Sequence, residues 1–191
     1  MYLVRNIPIL PFKKFVLPGD RVTIGIRNQG HIELIERFNS SNKEFGLPFF
    51  FNGKFNVYGC SVSICKVYRN EKKGFLRVTL AGNNLFRIKQ YNKFDNVTSF
   101  PSAAIKWINN VEHPVEDPEI IKLFEKYCNA IALIDNTQIS VIDMMRELRL
   151  EPETNFSIIT QENRDLRNDL IKKILRFKLL LRSQRNTFIF N

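Results

Sequence analysis

The chain has 191 residues, 44% of them apolar and 25% charged, as is ordinary for a globular protein of one domain or two small ones. No stretch reaches the ~18 apolar residues of a membrane-spanning helix, and Pro8 and Pro11 interrupt any apolar export signal. The three cysteines are odd in number and irregularly spaced, which is typical of a reduced protein. We therefore predict a cytoplasmic protein without a membrane partner.

The charge is unevenly distributed along the chain. The net charge is +10, and residues 1–115 alone carry +10. Residues 116–163 carry −6 and residues 164–191 carry +6, so these two segments cancel and could dock together. The N-terminal part keeps the uncompensated positive charge, which can attract phosphate groups.

The first half of the chain reads as short strands with one helix among them. An apolar strand through Pro8 and Pro11 precedes a turn at 16–19, a strand at 21–26, a helix at 31–38 and a strand at 45–51. Alternating residues then predict a hairpin, with a first strand over 58–64, a polar turn at 69–74 and a second strand from Leu76. A last strand is expected over about 97–111. Several short antiparallel strands with one helix favour a small barrel.

The second half reads as helical. Asp117 followed by Pro118 is typical of a helix start, and Ser140 with Asp143 resembles a capping box. Another helical turn starts at Pro152, and Asn163 or Asp165 can cap the last helix. That helix has an apolar stripe that we expect to be buried, formed by Leu166, Leu170, Ile174, Phe177 and Leu181.

Several motifs in this order resemble the N-terminal substrate-binding domain of Lon proteases, which is also found in cereblon. They are the Pro-bracketed strand and Leu17-Pro18-Gly19 turn, the segment 57–62, and the segment 80–88. Leu17 and Leu85 stand where the family usually has Phe and Arg. The resemblance covers roughly residues 5–112.

The resemblance implies an α+β fold. Residues 1–115 would form a PUA-like antiparallel β-barrel with an embedded helix. Residues 116–191 would form a small helical lobe packed on or next to the barrel.

The sequence holds no recognisable active site. Gly53-Lys54 is followed by Phe55 and lacks the upstream glycine of a phosphate-binding loop. His31 and His113 are far apart, and no closely spaced His/Cys set could hold zinc. We therefore expect no catalytic residue, no metal and no cofactor, and we predict that the chain is not an enzyme.

One aromatic region is a candidate binding surface. In a regular strand over 45–51, Phe49 and Phe51 share one face and Phe50 lies on the other, buried face. The aromatic face is either covered by the rest of the barrel or lines a groove for apolar segments of other proteins. The candidate peptide-binding residues are Phe12, Phe15, Phe49 and Phe51, and the candidate basic contacts are Lys13 and Lys14.

The function that the resemblance implies is non-catalytic recognition of unfolded or partner proteins and peptides, in a context such as protein quality control. The alternative is a PUA-like module that binds RNA or other nucleic acid through the basic barrel.

Overall fold

The computed structural model describes residues 5–41, 43–70, 75–93, 100–128 and 139–189. The chain divides into two compact units, residues 1–109 and residues 110–191, called here the β unit and the α unit. The sequence places the boundary a few residues later, at 115/116. The structure assigns residues 110–115 to the α unit, where the Val111 carbonyl accepts a hydrogen bond from the Ile142 N–H and the Val115 N–H donates one to Ile139.

The β unit contains one helix and a six-stranded sheet. In chain order its elements are β1 (Arg5–Pro8), β2 (Arg21–Ile26), α1 (Gln29–Ser41), β3 (Phe45–Phe51), β4 (Lys54–Asn70), β5 (Phe75–Asn92) and β6 (Ser102–Ile108). The strand order is β1-β6-β5-β4-β3, with β2 paired to β5, and these pairs are antiparallel. The predicted α+β class is confirmed.

Alternation along β5 decides which face of the sheet is buried. Leu76, Val78 and Leu80 are buried and the exposed Arg77 lies between the first two. In β2, Ile24 and Ile26 lie opposite Val78 and Leu76 and are buried as well. Burying these branched side chains on one face leaves polar residues on the other.

The chain just after β1 connects the two ends of the strand order. The Ile9 N–H donates to Pro101 at 2.8 Å, and the next N–H, that of Leu10, donates to Gly46 of β3 at 2.9 Å. Gly46 permits this approach, because a Cβ there would lie 2.7 Å from the Ile9 side chain. An isolated bridge joins Ile9 to Gly46. Closure of the whole sheet into a PUA-like barrel stays a prediction.

Helix α1 begins after Asn28, whose side chain accepts a hydrogen bond from the His31 N–H at 3.1 Å. This is an N-cap, which satisfies a donor that the helix itself leaves unpaired. The buried face of the helix carries Ile32, Leu34, Ile35 and Phe38.

The α unit has four described helices, α2 (Pro118–Cys128), α3 (Val141–Leu148), α4 (Pro152–Thr160) and α5 (Arg164–Ile189). The predicted caps are confirmed. Asp117 accepts from the Glu119 N–H, Ser140 and Asp143 form a capping box, and Asn163 accepts from the Asp165 and Leu166 N–H groups. Each cap pairs backbone donors that would otherwise be orphaned at the helix start.

Ion pairs join the acidic start of α2 to the basic helix α5, as the opposite charges of the two segments suggested. Lys172 lies 2.8 Å from Asp117, and Arg176 lies 2.5 Å from Glu119. Arg164, the first residue of α5, pairs with Glu116, which lies two residues before α2, at 2.6 Å.

The expected buried stripe of α5 is wrong. Leu166 and Phe177 are more than half exposed, and Leu181 is exposed as well. The buried face lies on another side of the helix and carries Arg167, Ile171 and Leu175. The Nη1 group of Arg167 donates to the Gln161 carbonyl at 3.2 Å, which lets this charged residue join an apolar face.

Parts of two sequence predictions lie outside the described residues, namely positions 71–74 of the turn and 97–99 of the last strand. The described part of that strand, β6, starts at Ser102 and ends at Ile108. None of the helices in the described ranges combines the length and the apolar composition that crossing a membrane requires.

Candidate functional site

The candidate site is built around the tight hairpin between β3 and β4. Phe51 pairs with Lys54, so the loop consists only of Asn52 and Gly53. Both residues have positive φ, 49° and 73°, as a two-residue type I′ turn requires. Asn-Gly is the dipeptide that adopts this turn most readily, and the turn fixes which side chains of the two strands face each other.

The hairpin register places Phe50 directly opposite Phe55. Their ring centroids are 4.9 Å apart and the rings are tilted by 59°. The Lys13 Nζ lies 5.5 Å from the centroid of the Phe50 ring, within cation–π range. Val57 is two residues beyond Phe55 on the same strand and is exposed as well.

We call the surface formed by Lys13, Phe50, Phe55 and Val57 the aromatic patch. Phe55 is 45% exposed and Val57 is 52% exposed, while Phe50 is half-buried. Adjacent exposed apolar side chains are more informative than single ones, because a folded chain rarely leaves them together without a use.

Backbone hydrogen bonds hold the Lys13 segment against β3. The Phe50 N–H donates to the Lys14 carbonyl at 3.2 Å. At the end of the segment, the Leu17 N–H donates to the Asp20 carboxylate at 2.9 Å. The backbone next to Lys13 is thereby held at β3, within reach of the Phe50 ring for the Lys13 side chain.

The structure brings three of the four predicted aromatic residues into contact, namely Phe15, Phe49 and Phe51. Phe15 stacks on Phe49 with ring centroids 4.0 Å apart, and its centroid is 6.0 Å from that of Phe51. Phe49 is only 1% exposed, so at this residue the structure agrees with the covered alternative and not with an open groove. Phe12, Phe15 and Phe51 are half-buried.

The alternation along β3 holds, but the buried face is the other one. Phe45, Leu47 and Phe49 are each at most 1% exposed and follow one another at every second position. Phe49 therefore points into the core and Phe50 to the aromatic patch. Lys13 and Lys14 are exposed, as expected for basic contacts. Whether any of these residues contacts a peptide stays a prediction.

Sequence reasoning missed Phe50, Phe55 and Val57 as surface residues. A usable signal was present, because Asn52-Gly53 between apolar residues is a strong hairpin indicator. Placing the turn there pairs Phe50 with Phe55 and predicts that both share a face.

The ionisable groups of the β unit do not assemble into a catalytic arrangement among the described residues. Burial lowers the pKa of His31, which lies on α1. Lys13 is the one ionisable member of the aromatic patch. In the described ranges, no three His, Cys, Asp or Glu side chains are grouped closely enough to hold a metal ion. The patch thus offers apolar contact area and one ammonium group.

Two solved structures share this fold over most of their length. The Lon N-terminal domain protein from Xanthomonas campestris aligns with a TM-score of 0.65 and 18% identity, covering 87% of this chain and 96% of its own. The N-terminal domain of the Mycobacterium avium complex Lon protease aligns with a TM-score of 0.59 and 13% identity, covering 91% of this chain and 98% of its own.

No protein-family model matches the sequence, and no curated protein does so either. The structural similarity nevertheless covers both units of the chain and confirms the resemblance seen in the sequence motifs. The chain has the fold of a Lon N-terminal domain.

Proposed function

We propose that this protein is a non-catalytic recognition module that binds exposed apolar segments of other proteins through the aromatic patch. The observation that carries the proposal is the exposure of Phe55 and Val57 beside the half-buried Phe50. The fold supports it, since one of the two similar structures is the N-terminal domain of a protease.

The chemistry of the patch suits an unfolded or flexible protein segment. Aromatic side chains supply a large contact area with few rotatable bonds, so little entropy is lost on binding. Such contacts are tolerant of sequence, because they depend on apolar area more than on directed hydrogen bonds. Lys13 adds attraction for carbonyl or carboxylate oxygens at the edge of the patch.

The module would act without a cofactor and in the cytoplasm, where a role in protein quality control would expose it to unfolded chains. Phe12, Phe15, Phe51 and Lys14 would form the surroundings of the patch. Phe49 would support it from the core through its stacking on Phe15.

Binding of a neutral apolar peptide tests this proposal. A fluorescein-labelled Gly-Ser-Phe-Leu-Ile-Phe-Ser-Gly peptide should bind the full chain, with an affinity that changes little with salt. The double variant Phe55→Ser/Val57→Ser should weaken binding about tenfold or more, as loss of a central apolar contact does.

The matched control is Tyr68→Ser, which removes an aromatic side chain of the same strand that is 55% exposed but outside the patch. It should leave the affinity unchanged. Equal loss in both variants, or no peptide binding at all, would contradict the proposal.

A second candidate function rests on charge. Residues 1–109 contain 17 Lys and Arg against 6 Asp and Glu, a net charge of +11. Such a surplus attracts phosphate backbones without sequence preference. Nucleic-acid binding by the β unit is therefore the alternative to peptide recognition.

A further inference from the structure

Helix α5 carries a row of exposed apolar side chains, which we call the α5 stripe. Leu166, Phe177 and Leu180 are each more than half exposed, Leu181 is 40% exposed, and Leu170 is half-buried. Their spacing places these five residues on one face of the helix. All the large apolar residues that are exposed in the described part of the α unit belong to this stripe. A folded chain rarely leaves so many together without a use.

The contacts between α5 and α2 engage other residues of the helix. Lys172 pairs with Asp117 at the start of α2, and Arg182 donates a hydrogen bond to the Tyr127 carbonyl near the end of α2. The two helices therefore run side by side in the same direction. Neither contact involves the α5 stripe, which is left open to solvent.

The charge of the α unit narrows the kind of partner that fits the stripe. Residues 110–191 contain 12 Lys and Arg against 13 Asp and Glu, a net charge of −1. A nucleic acid or an anionic membrane is attracted by surplus positive charge, which this unit lacks. Two nearly neutral units approach each other without net repulsion, whereas the basic β units would repel each other. The stripe therefore fits a protein partner.

The spacing of the stripe is that of a helix which pairs with another helix. Positions 166, 170, 173, 177 and 180 are separated by four, three, four and three residues in turn. This alternation is the pattern of a coiled-coil seam. Four of the five positions hold Leu or Phe, and the middle one is Lys173.

The seam is complementary to a second copy of itself that runs in the opposite direction. Leu166 and Leu180 are each seven residues from Lys173, and Leu170 and Phe177 are three and four residues from it. If two copies of α5 cross at Lys173 in antiparallel orientation, Leu166 meets Leu180 of the second copy. Leu170 then meets Phe177 of the second copy, so apolar side chains face each other on both sides of the crossing.

The charges beside the seam match in the same arrangement. Asp169 is four residues before Lys173 and Arg176 is three residues after it. The crossing therefore brings Asp169 of each copy beside Arg176 of the other. None of the ion pairs among the described residues uses Asp169. Arg176 is 58% exposed beside Glu119, and its guanidinium has donors for a second carboxylate.

Lys173 itself lies at the centre of this arrangement. A single polar residue in a coiled-coil seam weakens the pair but fixes its register. The aliphatic stem of Lys173 can cover the neighbouring apolar side chains while its ammonium reaches the Asp169 carboxylates.

We propose that two copies of this protein associate through the α5 stripe as an antiparallel helix pair that crosses at Lys173. This goes beyond the proposed function and does not rest on it. The dimer would carry two copies of the aromatic patch. Five side chains per copy make a small interface, so the association should be reversible and depend on concentration.

Sedimentation velocity between about 1 and 100 µM tests the association, since small interfaces have affinities in this range. The wild type should pass from monomer to dimer. Phe177→Ser/Leu180→Ser should weaken the dimer at least tenfold. The control Tyr68→Ser/Tyr91→Ser removes two exposed aromatic residues of the β unit and should dimerise like the wild type. A wild type that stays monomeric, or equal losses in the two double variants, would overturn the proposal.

Charge changes test the crossing point. Asp169→Lys should weaken the dimer at least tenfold, since it places a cation beside Arg176 of the second copy. Glu153→Lys makes the same change of charge at an exposed position of α4 and should alter the affinity less than twofold. Lys173→Leu should strengthen the dimer at least tenfold, because it completes the apolar seam. Lys122→Leu, at an exposed position of α2, should not. Equal effects of a variant and its control would contradict this crossing point.

Cysteine cross-linking tests the direction of the two helices. In a Cys65→Ser/Cys128→Ser background, protein with Leu166→Cys is mixed with protein with Leu180→Cys and oxidised with copper phenanthroline. The mixture should form a disulfide-linked dimer. Leu166→Cys alone should not, because the two copies of position 166 would lie about 20 Å apart at 1.5 Å per residue. Cross-linking of Leu166→Cys with itself would indicate a parallel pair and overturn the proposal.

The neutral apolar peptide separates this inference from the proposed function. Phe177→Ser/Leu180→Ser should bind it as tightly as the wild type does. Peptide binding without dimerisation would defeat this inference alone, and dimerisation without peptide binding would defeat the aromatic patch alone. If Phe177→Ser/Leu180→Ser loses the peptide, the α5 stripe is itself the peptide site and both proposals fail.

Discussion

Leu175 and Phe177 lie two residues apart on α5, and only Leu175 is buried. Its side chain is fully enclosed, whereas Phe177 is 58% exposed. The energetic weight of a large apolar residue comes from the water it excludes and the cavity its removal leaves, and not from its size alone.

We predict opposite outcomes for two alanine substitutions on this helix. Leu175→Ala should lower the free energy of unfolding by about 2–5 kcal/mol, since it opens a cavity in the core. Phe177→Ala should change it by less than about 0.5 kcal/mol, as at other exposed positions. Urea unfolding followed by circular dichroism measures both. A larger loss of stability for Phe177→Ala than for Leu175→Ala would contradict the assignment of Leu175, and not Phe177, to the buried face of α5.

Two predictions of buried faces, on α5 and on β3, failed at single residues. The stripe through Leu166 and Phe177 is more continuous than the buried face of α5, which includes Arg167. A pattern based on apolar residues cannot foresee that an arginine will be buried beside the Gln161 carbonyl. The assignment of Phe49 and Phe50 failed for another reason. The alternation along β3 holds, but both faces of this strand carry phenylalanine, and the elements that pack against the strand decide which face is buried.

Elements were predicted well where local chemistry decides them. Strands β2 and β3 have the bounds that the sequence indicates, and Ser140 caps α3 as expected. Their signals are short-range: a proline-glycine turn, apolar alternation and a side-chain acceptor before a helix. The pairing of β2 with β5 and of β1 with β6 has no such local signal, because these contacts join distant parts of the chain.

The junction of α2 with α5 should make stability depend on acidic pH. The Lys172 ammonium donates a hydrogen bond to Asp117 and holds the pKa of that carboxyl below its usual value of 3.8. A carboxyl with a depressed pKa stabilises the fold above its unfolded pKa, and this contribution is lost as the pH falls through the folded pKa. Arg164 and Arg176 lower the pKa values of Glu116 and Glu119 in the same way.

We predict that Asp117→Asn reduces stability at pH 7 and that its difference from the wild type narrows between about pH 5 and pH 2. Urea unfolding at a series of pH values measures this. Glu153→Gln is the control, because Glu153 is an exposed residue of α4 outside the described ion pairs. It should keep the wild-type pH dependence. A constant difference between Asp117→Asn and wild type at every pH would show that the ion pair does not carry the effect.

At the scale of the whole molecule, the positive charge belongs almost entirely to the β unit. Residues 110–191 contain 12 Lys and Arg against 13 Asp and Glu, a net charge of −1. The α unit uses its cations internally, as the pairs of Lys172 and Arg176 show. The surplus on the β unit is therefore available to an external partner.

Salt dependence separates the two candidate functions. If the basic surface binds RNA through about 6–10 phosphate contacts, affinity for a mixed RNA pool should fall about 10³–10⁵-fold between roughly 50 and 200 mM salt. We expect instead weak RNA binding and a neutral-peptide affinity that salt leaves nearly unchanged. Both are measured by anisotropy on the same protein. Tight, salt-sensitive RNA binding without peptide binding would favour the nucleic-acid alternative.

The pairing of β1 with β6 has a consequence for folding during synthesis on the ribosome. Arg5 pairs with Ile105, so β1 cannot pair with β6 until the ribosome has translated β6. At about 5–20 residues per second, a ribosome needs roughly 5–20 s for the intervening hundred residues. A nascent chain that stalls before Ser102 keeps β1 without this partner, and a premature stop codon in the same stretch would release a product that cannot complete its sheet.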